Sequence, residues 1–229
     1  MNTAGRGRPD IQGDARRAFG AIKSGGIAIL PMDVGYSVIG GGAEALKSIF
    51  ATKQRVPSKL NAMVADREIH RQVHIVDQRA SEIVDCITQD YDLPMGVIAP
   101  ARMDHPLLAK LSGDAIAGSN KDGTIVMLLN AGAFHAEICR LSRDEGHPLF
   151  GSSANKSMSG TKFRVEDIQP EIKAIADVTI DYGLRKYHLY KASSTLLNVM
   201  TMEVVRVGSC YELIGDILHR HFGIELPPA

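Results

Sequence analysis

Three short polar segments contain residue types that can hold the oxygens of an anion. In the first, Lys53 and Arg55 are separated by one residue, so in an extended chain both side chains point to the same side. Arginine can bind a phosphate through two parallel hydrogen bonds, and lysine can bind it as a point charge. Both cations can equally lie at a solvated helix end, where they oppose the helix dipole. The spacing alone leaves both interpretations open.

The second segment, 148–157, is a short apolar run followed by small hydroxyl and amide residues. Within it Ser153 and Asn155 are again two positions apart, and open α/β sheets bind ligands where their strands end. The same residues can instead form a turn that satisfies its own backbone. In the third segment Ser194 opens a predicted hairpin, and Arg206 lies on the partner strand between two valines. Arg206 therefore faces away from those valines, toward either solvent or a cleft.

The composition limits the classes of protein to which the chain can belong. Its 229 residues fit one large domain or two small ones, and 45% are hydrophobic, which is enough for a sizeable core. Lysine plus arginine and aspartate plus glutamate number 26 each, which argues against a strong non-specific nucleic-acid binder. No apolar run reaches about 18 residues, so we expect no transmembrane helix and no membrane partner.

The N-terminal composition and the cysteines suggest the domain limits and the compartment. Residues 1–9 are rich in glycine and arginine and lack an apolar stretch, so we expect a disordered tail followed by one domain over 10–229. Cys86, Cys139 and Cys210 lie far apart among apolar residues, which is typical of buried free thiols in a reducing compartment. We therefore expect a cytoplasmic protein.

Several familiar catalytic motifs are missing from the sequence. The histidines and cysteines lack the spacing of a zinc site, and neither a P-loop nor a nucleophile elbow is present. The glycine run 40–42 does not match a dinucleotide fingerprint. No nucleophile with an adjacent base can be identified, so the sequence does not predict covalent catalysis by a side chain.

Apolar periodicity predicts helices that alternate with strands. The predicted helices begin at Asp10, Ala43, Asp66, Asp77, Asp104, Ala133, Val165 and Ser209, and the predicted strands lie at 27–30, 62–65, 96–99, 124–129, 178–180, 195–199 and 204–207. Residues 32–42, 113–123 and 183–191 are expected to form loops. The alternation predicts a layered α/β domain, and the final hairpin makes the sheet mixed.

Taken in order, these motifs resemble the YrdC-like family of threonylcarbamoyl-adenylate synthases, from about Arg17 to Ile217. The motifs are Gly25-Gly26 before an apolar strand and Pro31, Lys53-x-Arg55, Ser153-Ala154-Asn155 before Ser159-Gly160, Ser194-Thr195, and Arg206-x-Gly208. The resemblance implies a single twisted sheet with helices on its faces and a large, positively lined central cavity.

The resemblance also implies a reaction. L-threonine and bicarbonate form a carbamate that attacks the α-phosphate of ATP, which Mg²⁺ accompanies. The products are threonylcarbamoyl-AMP and pyrophosphate, and the carbamoyl group later passes to a tRNA adenosine. By matching position, Lys53 and Arg55 would take the triphosphate, while four further residues would help to hold the nucleotide and its phosphates: Ser153, Asn155, Ser194 and Arg206. Such an enzyme works by positioning its reactants and neutralising charge.

The chain departs from the family pattern where substrate is expected. The usual Pro-Thr-x-Thr-x-Tyr-Gly-Leu reads Pro-Met-Asp-Val-Gly-Tyr-Ser-Val at 31–38, so Met32 and Val34 replace two threonines ahead of Tyr36. Leu128 aligns with an arginine of the family, and the interval from Asn155 to Ser-Gly is two residues longer. We therefore expect a substrate pocket lined by Met32, Val34, Tyr36 and Leu128. Such a pocket is less polar than one that binds the hydroxyl of threonine, and it suits a related amine with an apolar group.

Two other functions remain open from the sequence. A non-catalytic paralogue that binds nucleotide or double-stranded RNA is compatible with these departures and with the basic and aromatic residues of 183–191, which can also act as a lid. The zero net charge weighs against RNA binding. A degraded paralogue that binds neither ligand is the remaining alternative.

Overall fold

The computed structural model describes residues 8–54, 60–111 and 113–228. Within these ranges the helices are α1 Ile11–Lys23, α2 Ala43–Thr52, α3 Arg67–Val73, α4 Gln78–Asp85, α5 Pro106–Ala109, α6 Asp114–Ala117, α7 Ala133–Asp144, α8 Pro170–Ala174 and α9 Tyr211–Phe222. The strands are β1 Ile27–Met32, β2 Gly35–Gly40, β3 Ala62–Val64, β4 Met95–Pro100, β5 Asn120–Lys121, β6 Thr124–Leu129, β7 Phe150–Ser153, β8 Val178–Thr179, β9 Leu196–Asn198 and β10 Val204–Arg206. A π-helical turn covers Cys86–Asp90 and a 3-10 turn covers His188–Tyr190.

Aspartates start three of the helices, as the sequence predicted. The carboxylates of Asp10, Asp66 and Asp77 accept hydrogen bonds of 2.8–3.0 Å from the backbone N–H three residues further on, at the first turns of α1, α3 and α4. Each cap satisfies one of the N–H groups that a helix leaves without an internal partner. Local sequence chemistry therefore determines where these helices begin.

The described strands form one mixed sheet in the order β10-β9-β4-β6-β3-β7-β2-β1-β8, with β5 paired to β6. The pairs β1–β8, β3–β6 and β4–β9 are parallel, and the other pairs are antiparallel. The predicted α/β class and mixed sheet are therefore confirmed. On this path β7 and β10 are five strand spacings apart, which corresponds to about 24 Å at a spacing of about 4.8 Å.

The two faces of the sheet have different partners. Tyr36, Met63, Val97, Met127 and Phe150 point to the face covered by α2, α3, α4 and α9, where the larger part of the core lies. On the opposite face α1 and α7 cover the end of the sheet around β1. The remainder of that face is not covered by a helix of the described chain and forms the floor of a cavity.

Two predicted elements differ in the structure. Residues 32–42, expected as a loop because of their glycines, contain β2, which forms a hairpin with β1. Gly40 is paired within that strand, and its glycine allows close packing on α2. A Cβ atom at this position would lie only 2.7 Å from the Cβ of Ala45. The helix predicted over 165–176 is reduced to α8, which starts at Pro170 because proline fits the first turn of a helix.

Among the described residues, no helix combines the length and apolarity that crossing a lipid bilayer requires.

Candidate functional site

The uncovered face of the sheet encloses a cavity of about 680 Å³. Strand register aligns its floor in two rows. One row runs Ile39, Gly151, Ala62, Val126, Ile98 and Asn198, and the other runs Val64, Leu128, Gly96, Leu196 and Arg206. Each row is apolar or small except at its β9–β10 end, where Asn198 and Arg206 lie, and the Lys53 loop supplies the polar groups at the opposite end. The floor therefore suits a ligand with an apolar middle and polar ends.

Lys53 holds the loop at one end of the cavity. It follows α2 directly and is only 3% exposed. Its ammonium group donates hydrogen bonds to the backbone carbonyl oxygens of Ser153 and Asn155. Lys53 thus places a positive charge beneath this loop and fixes its shape, in addition to any contact with a ligand. Arg55, the second cation predicted for this site, lies outside the described residues.

The same loop contains a buried hydrogen-bond acceptor that the described protein groups do not use. Asn155 is 6% exposed, and its Nδ2 donates to the carbonyl oxygen of Lys156 at 2.6 Å. The Asn155 Oδ1 atom has no hydrogen-bond partner in the described chain, although Asn155 lines the cavity. A buried polar atom without a partner costs about 1–3 kcal/mol, so this end is arranged for a bound polar group.

Arg206 is fixed at the far end of the cavity. Its Nε and Nη2 atoms donate to the backbone carbonyl oxygen of Ser194 at 3.2 and 2.6 Å. Gly208 makes this approach possible, because a Cβ atom there would lie 2.3 Å from the carbonyl oxygen of Ser193. Arg206 is exposed where it borders the cavity, and its guanidinium is charged at neutral pH.

The described lining of the cavity carries charges of both signs. Lys53, Lys121 and Arg206 supply positive charge, while Asp122 and Glu203 supply negative charge. Asp122 lies at the turn before β6, two strand spacings from β7 and next to Lys121, whereas Glu203 lies just before β10, five strand spacings from β7. The Lys53 end is therefore the part of the described cavity best suited to an anion.

Three of the residues predicted to line the substrate pocket are not on this cavity. Met32 and Val34 are at most 1% exposed and pack into the apolar cluster beneath α1 and α7. Tyr36 points to the other face of the sheet, where its single O–H proton has two acceptors in reach, Asp181 Oδ1 at 3.0 Å and the Gly183 carbonyl oxygen at 2.9 Å. Burial raises the pKa of Tyr36, so the hydroxyl remains protonated. Of the four predicted residues, only Leu128 reaches the floor.

The remaining predicted residues converge, and the structure adds several that the sequence analysis missed. Lys53, Ser153, Asn155, Ser194 and Arg206 all line the one cavity. The additional polar lining residues of the described chain include Ser37, Lys121, Asp122, Asn198 and Glu203. The period-two alternation of strand residues contains the signal for Ser37, since it precedes the floor residue Ile39 by two positions, but the glycines of 32–42 predict a loop there.

The segment 183–191 is attached to the body of the protein away from this cavity. Arg185 donates to the Met32 carbonyl oxygen at 3.1 Å and to Asp33 Oδ1 at 3.0 Å. Tyr187 N donates to the Asp33 carbonyl oxygen at 3.0 Å. None of the residues 183–191 lines the main cavity, whereas Lys186 and Tyr187 line a smaller one beside Asp33. The segment does not act as a lid over the main cavity in this conformation.

Residues 20–208 match the model of the Sua5/YciO/YrdC family, which carries the description "telomere recombination". The chain belongs to this family. The resemblance recognised in the sequence is thereby confirmed at the level of the family. No curated protein matches the chain at a significant level.

Solved structures share the fold of this Sua5/YciO/YrdC domain. A hypothetical protein from Streptococcus mutans aligns with a TM-score of 0.73 at 17% identity, over 92% of both chains. P. abyssi Sua5, solved in complex with L-threonine, aligns with a TM-score of 0.72 at 18% identity, over 97% of this chain and 61% of that one. Full-length HypF, solved in a phosphate- and nucleotide-bound form, aligns with a TM-score of 0.60 at 17% identity, over 85% of this chain and 23% of HypF. At these identities the likeness establishes the twisted mixed α/β fold.

Proposed function

We propose that this chain is a nucleotidyltransferase that uses ATP with Mg²⁺ to form a carbamoyl-adenylate. By default the product is L-threonylcarbamoyl-AMP, made from L-threonine, bicarbonate and ATP, for transfer to tRNA. The observation that carries the proposal is the cavity itself, which has the Lys53 loop at one end and Arg206 at the other. These two fixed cations flank an apolar floor long enough for a nucleotide joined to a second substrate.

The chemistry assigned to the protein is positioning and charge neutralisation. Attack of a carbamate oxygen on the α-phosphate forms a P–O bond and releases pyrophosphate, which requires no nucleophile from the protein. The positive charge at Lys53 and the Ser153–Asn155 loop would receive the phosphates, with Arg206 at the opposite end. Within the described residues no group of three histidine, cysteine or carboxylate side chains could hold a metal ion, so Mg²⁺ would arrive with the nucleotide.

The identity of the amine substrate depends on the floor of the cavity. The L-threonine complex of P. abyssi Sua5 supports threonine as the default. In this chain the neighbours of Leu128 in its row of the floor are Val64, Gly96 and Leu196. The first charged residue of that row is Arg206, at its end. An amino acid with an apolar side chain, such as valine, is therefore the principal alternative to threonine.

The observations favour this enzyme over an RNA-binding paralogue. The guanidinium of Arg185 already contacts Asp33 and two backbone carbonyl oxygens, and the ammonium group of Lys186 lies 5.0 Å from the ring centre of Tyr187. These basic groups make internal contacts, which leaves less support for a phosphate-binding surface on this segment. Binding of duplex RNA with a steep salt dependence and without ATP turnover would favour the paralogue.

Pyrophosphate release tests the proposed function directly. The protein is incubated with ATP, Mg²⁺, bicarbonate and, in turn, L-threonine, L-valine and other amino acids. We expect release that requires bicarbonate and one class of amine. Arg206→Ala should lower it at least tenfold, because a charged contact is worth about 1.5–3 kcal/mol. Arg16→Ala, on the exposed side of α1, is the matched control and should have no effect. Absence of release with every amine would rule out the enzyme.

A further inference from the structure

Strand β2 contributes a hydroxyl group to the cavity that no motif indicated. Ser37 is 8% exposed and lines the cavity. Among the described residues, no hydrogen bond reaches its hydroxyl, although the surrounding strand is fully paired with β1 and β7. The Ser37 hydroxyl is not fully enclosed by protein, so a ligand in the cavity can reach it and replace the water there. The side chain lacks a partner on the side that faces the cavity.

The register of the sheet gives Ser37 a second hydroxyl as its neighbour. Ser37 lies directly opposite Ser153 in the antiparallel pair of β2 and β7. Residues opposite each other in such a pair have Cβ atoms about 4.5–5.5 Å apart on the same face of the sheet. Both side chains line the cavity, and neither hydroxyl has a hydrogen-bond partner within the described chain. Two hydroxyls at this spacing can donate to the oxygens of one ligand group.

The charge around the pair selects the kind of ligand. The Lys53 ammonium donates to the carbonyl oxygens of Ser153 and Asn155, which places positive charge next to the pair. Of the carboxylates of the described cavity lining, Glu203 lies just before β10, five strand spacings from β7, and Asp122 lies just before β6, two spacings from β7, next to Lys121. An anion is therefore favoured here over a cation. The phosphate oxygens of a nucleotide or of pyrophosphate have the matching chemistry.

We propose that Ser37 and Ser153 form a donor pair for a phosphate group, so that Ser37 is a phosphate-binding residue of this chain. The position of Ser37 aligns with a glycine in the family pattern, so the hydroxyl is an addition relative to that pattern. This inference rests on the proposed function insofar as the phosphate belongs to ATP. Pyrophosphate binding tests it independently of any reaction.

The experiment is calorimetric titration of the full chain with ATP–Mg²⁺ and, separately, with inorganic pyrophosphate. Ser37→Ala and Ser37→Gly each remove the hydroxyl, Ser37→Thr keeps it, and Ser81→Ala on α4, away from the cavity, is the matched control. We expect Ala and Gly to weaken pyrophosphate binding about tenfold, the scale for one hydrogen bond to a charged acceptor. Ser37→Thr should stay nearer to the wild-type affinity, and the control should equal it. Thermal melting establishes that each variant is folded.

Three results would overturn the inference. Unchanged affinity in both Ser37→Ala and Ser37→Gly would show that the hydroxyl contacts no phosphate. Tighter binding by Ser37→Gly would show that the side chain only occupies space. Failure of the wild type to bind either ATP or pyrophosphate would remove the anion site altogether. Pyrophosphate binding that depends on Ser37, without pyrophosphate release from ATP with any amine, would support the inference and contradict the proposed function.

Discussion

Replacing Lys53 by methionine tests whether this lysine holds the cavity loop together or acts only as a ligand contact. Methionine keeps the length and the apolar stem of the side chain but removes the ammonium. In the folded protein Lys53 is 3% exposed, and its ammonium donates to the backbone carbonyl oxygens of Ser153 and Asn155. The substitution therefore leaves two carbonyl oxygens without these donors at the point where β7 leads into the loop.

The expected loss of stability follows from those two contacts. Hydrogen bonds to a charged group are worth about 1.5–3 kcal/mol each, so these two together contribute about 3–6 kcal/mol. Part of this is offset, because the variant no longer has to bury a charge and water from the cavity can reach the carbonyl oxygens. We expect a net decrease of about 2–3 kcal/mol in the free energy of unfolding. For a chain of this size that corresponds to a fall of roughly 4–12 °C in melting temperature.

Urea unfolding of Lys53→Met and Lys47→Met measures the effect against a matched control. Lys47 lies on the exposed side of the same helix, α2, and has no ion pair in the described chain. We expect a lower midpoint for Lys53→Met only, with an unchanged dependence on denaturant. Equal stability of the two variants would refute the reasoning. If nucleotide binding were then lost, Lys53 would act as a ligand contact alone.

Two further predictions concern parts of the fold away from the phosphate contacts. The buried His70 and His74, whose Nδ1 atoms lie 2.9 Å apart, have pKa values lowered chiefly by burial, so they are neutral in the folded state. In the unfolded chain these two histidines bind protons below about pH 6.5, whereas in the folded chain they do not. The free energy of unfolding, measured by urea titration, should therefore be lower at pH 5 than at pH 7.5. Equal free energies of unfolding at the two pH values would contradict this. Gly208→Ala should destabilise the protein by about 1–3 kcal/mol, because the new methyl group would lie 2.3 Å from the Ser193 carbonyl oxygen. Gly215→Ala, with open space around it on α9, is the control, and a Gly208 variant as stable as this one would exclude the predicted clash.

Features that depend on nearest neighbours were predictable from the sequence. Aspartate at position 10, 66 or 77 starts a helix because its carboxylate reaches a backbone N–H three residues away. The order of the motifs was sufficient to recognise the family. The resemblance also led us to expect Ser153, Asn155, Ser194 and Arg206 in one place, and the structure brings them to one cavity. Their roles as ligands remain proposals.

Which side chains face that cavity was decided by the tertiary structure. Successive residues of a strand point to opposite faces, and the pairing partner fixes which face is open, so the outcome depends on contacts distant in the chain. Tyr36 and Ser37 are adjacent in sequence, yet Tyr36 is buried in the core and Ser37 faces Ser153 across the strand pair. Met32 and Val34 are likewise buried by α1 and α7. The sequence by itself determined the family, the helix starts and the polar segments, and long-range strand pairing determined which of their side chains form the site.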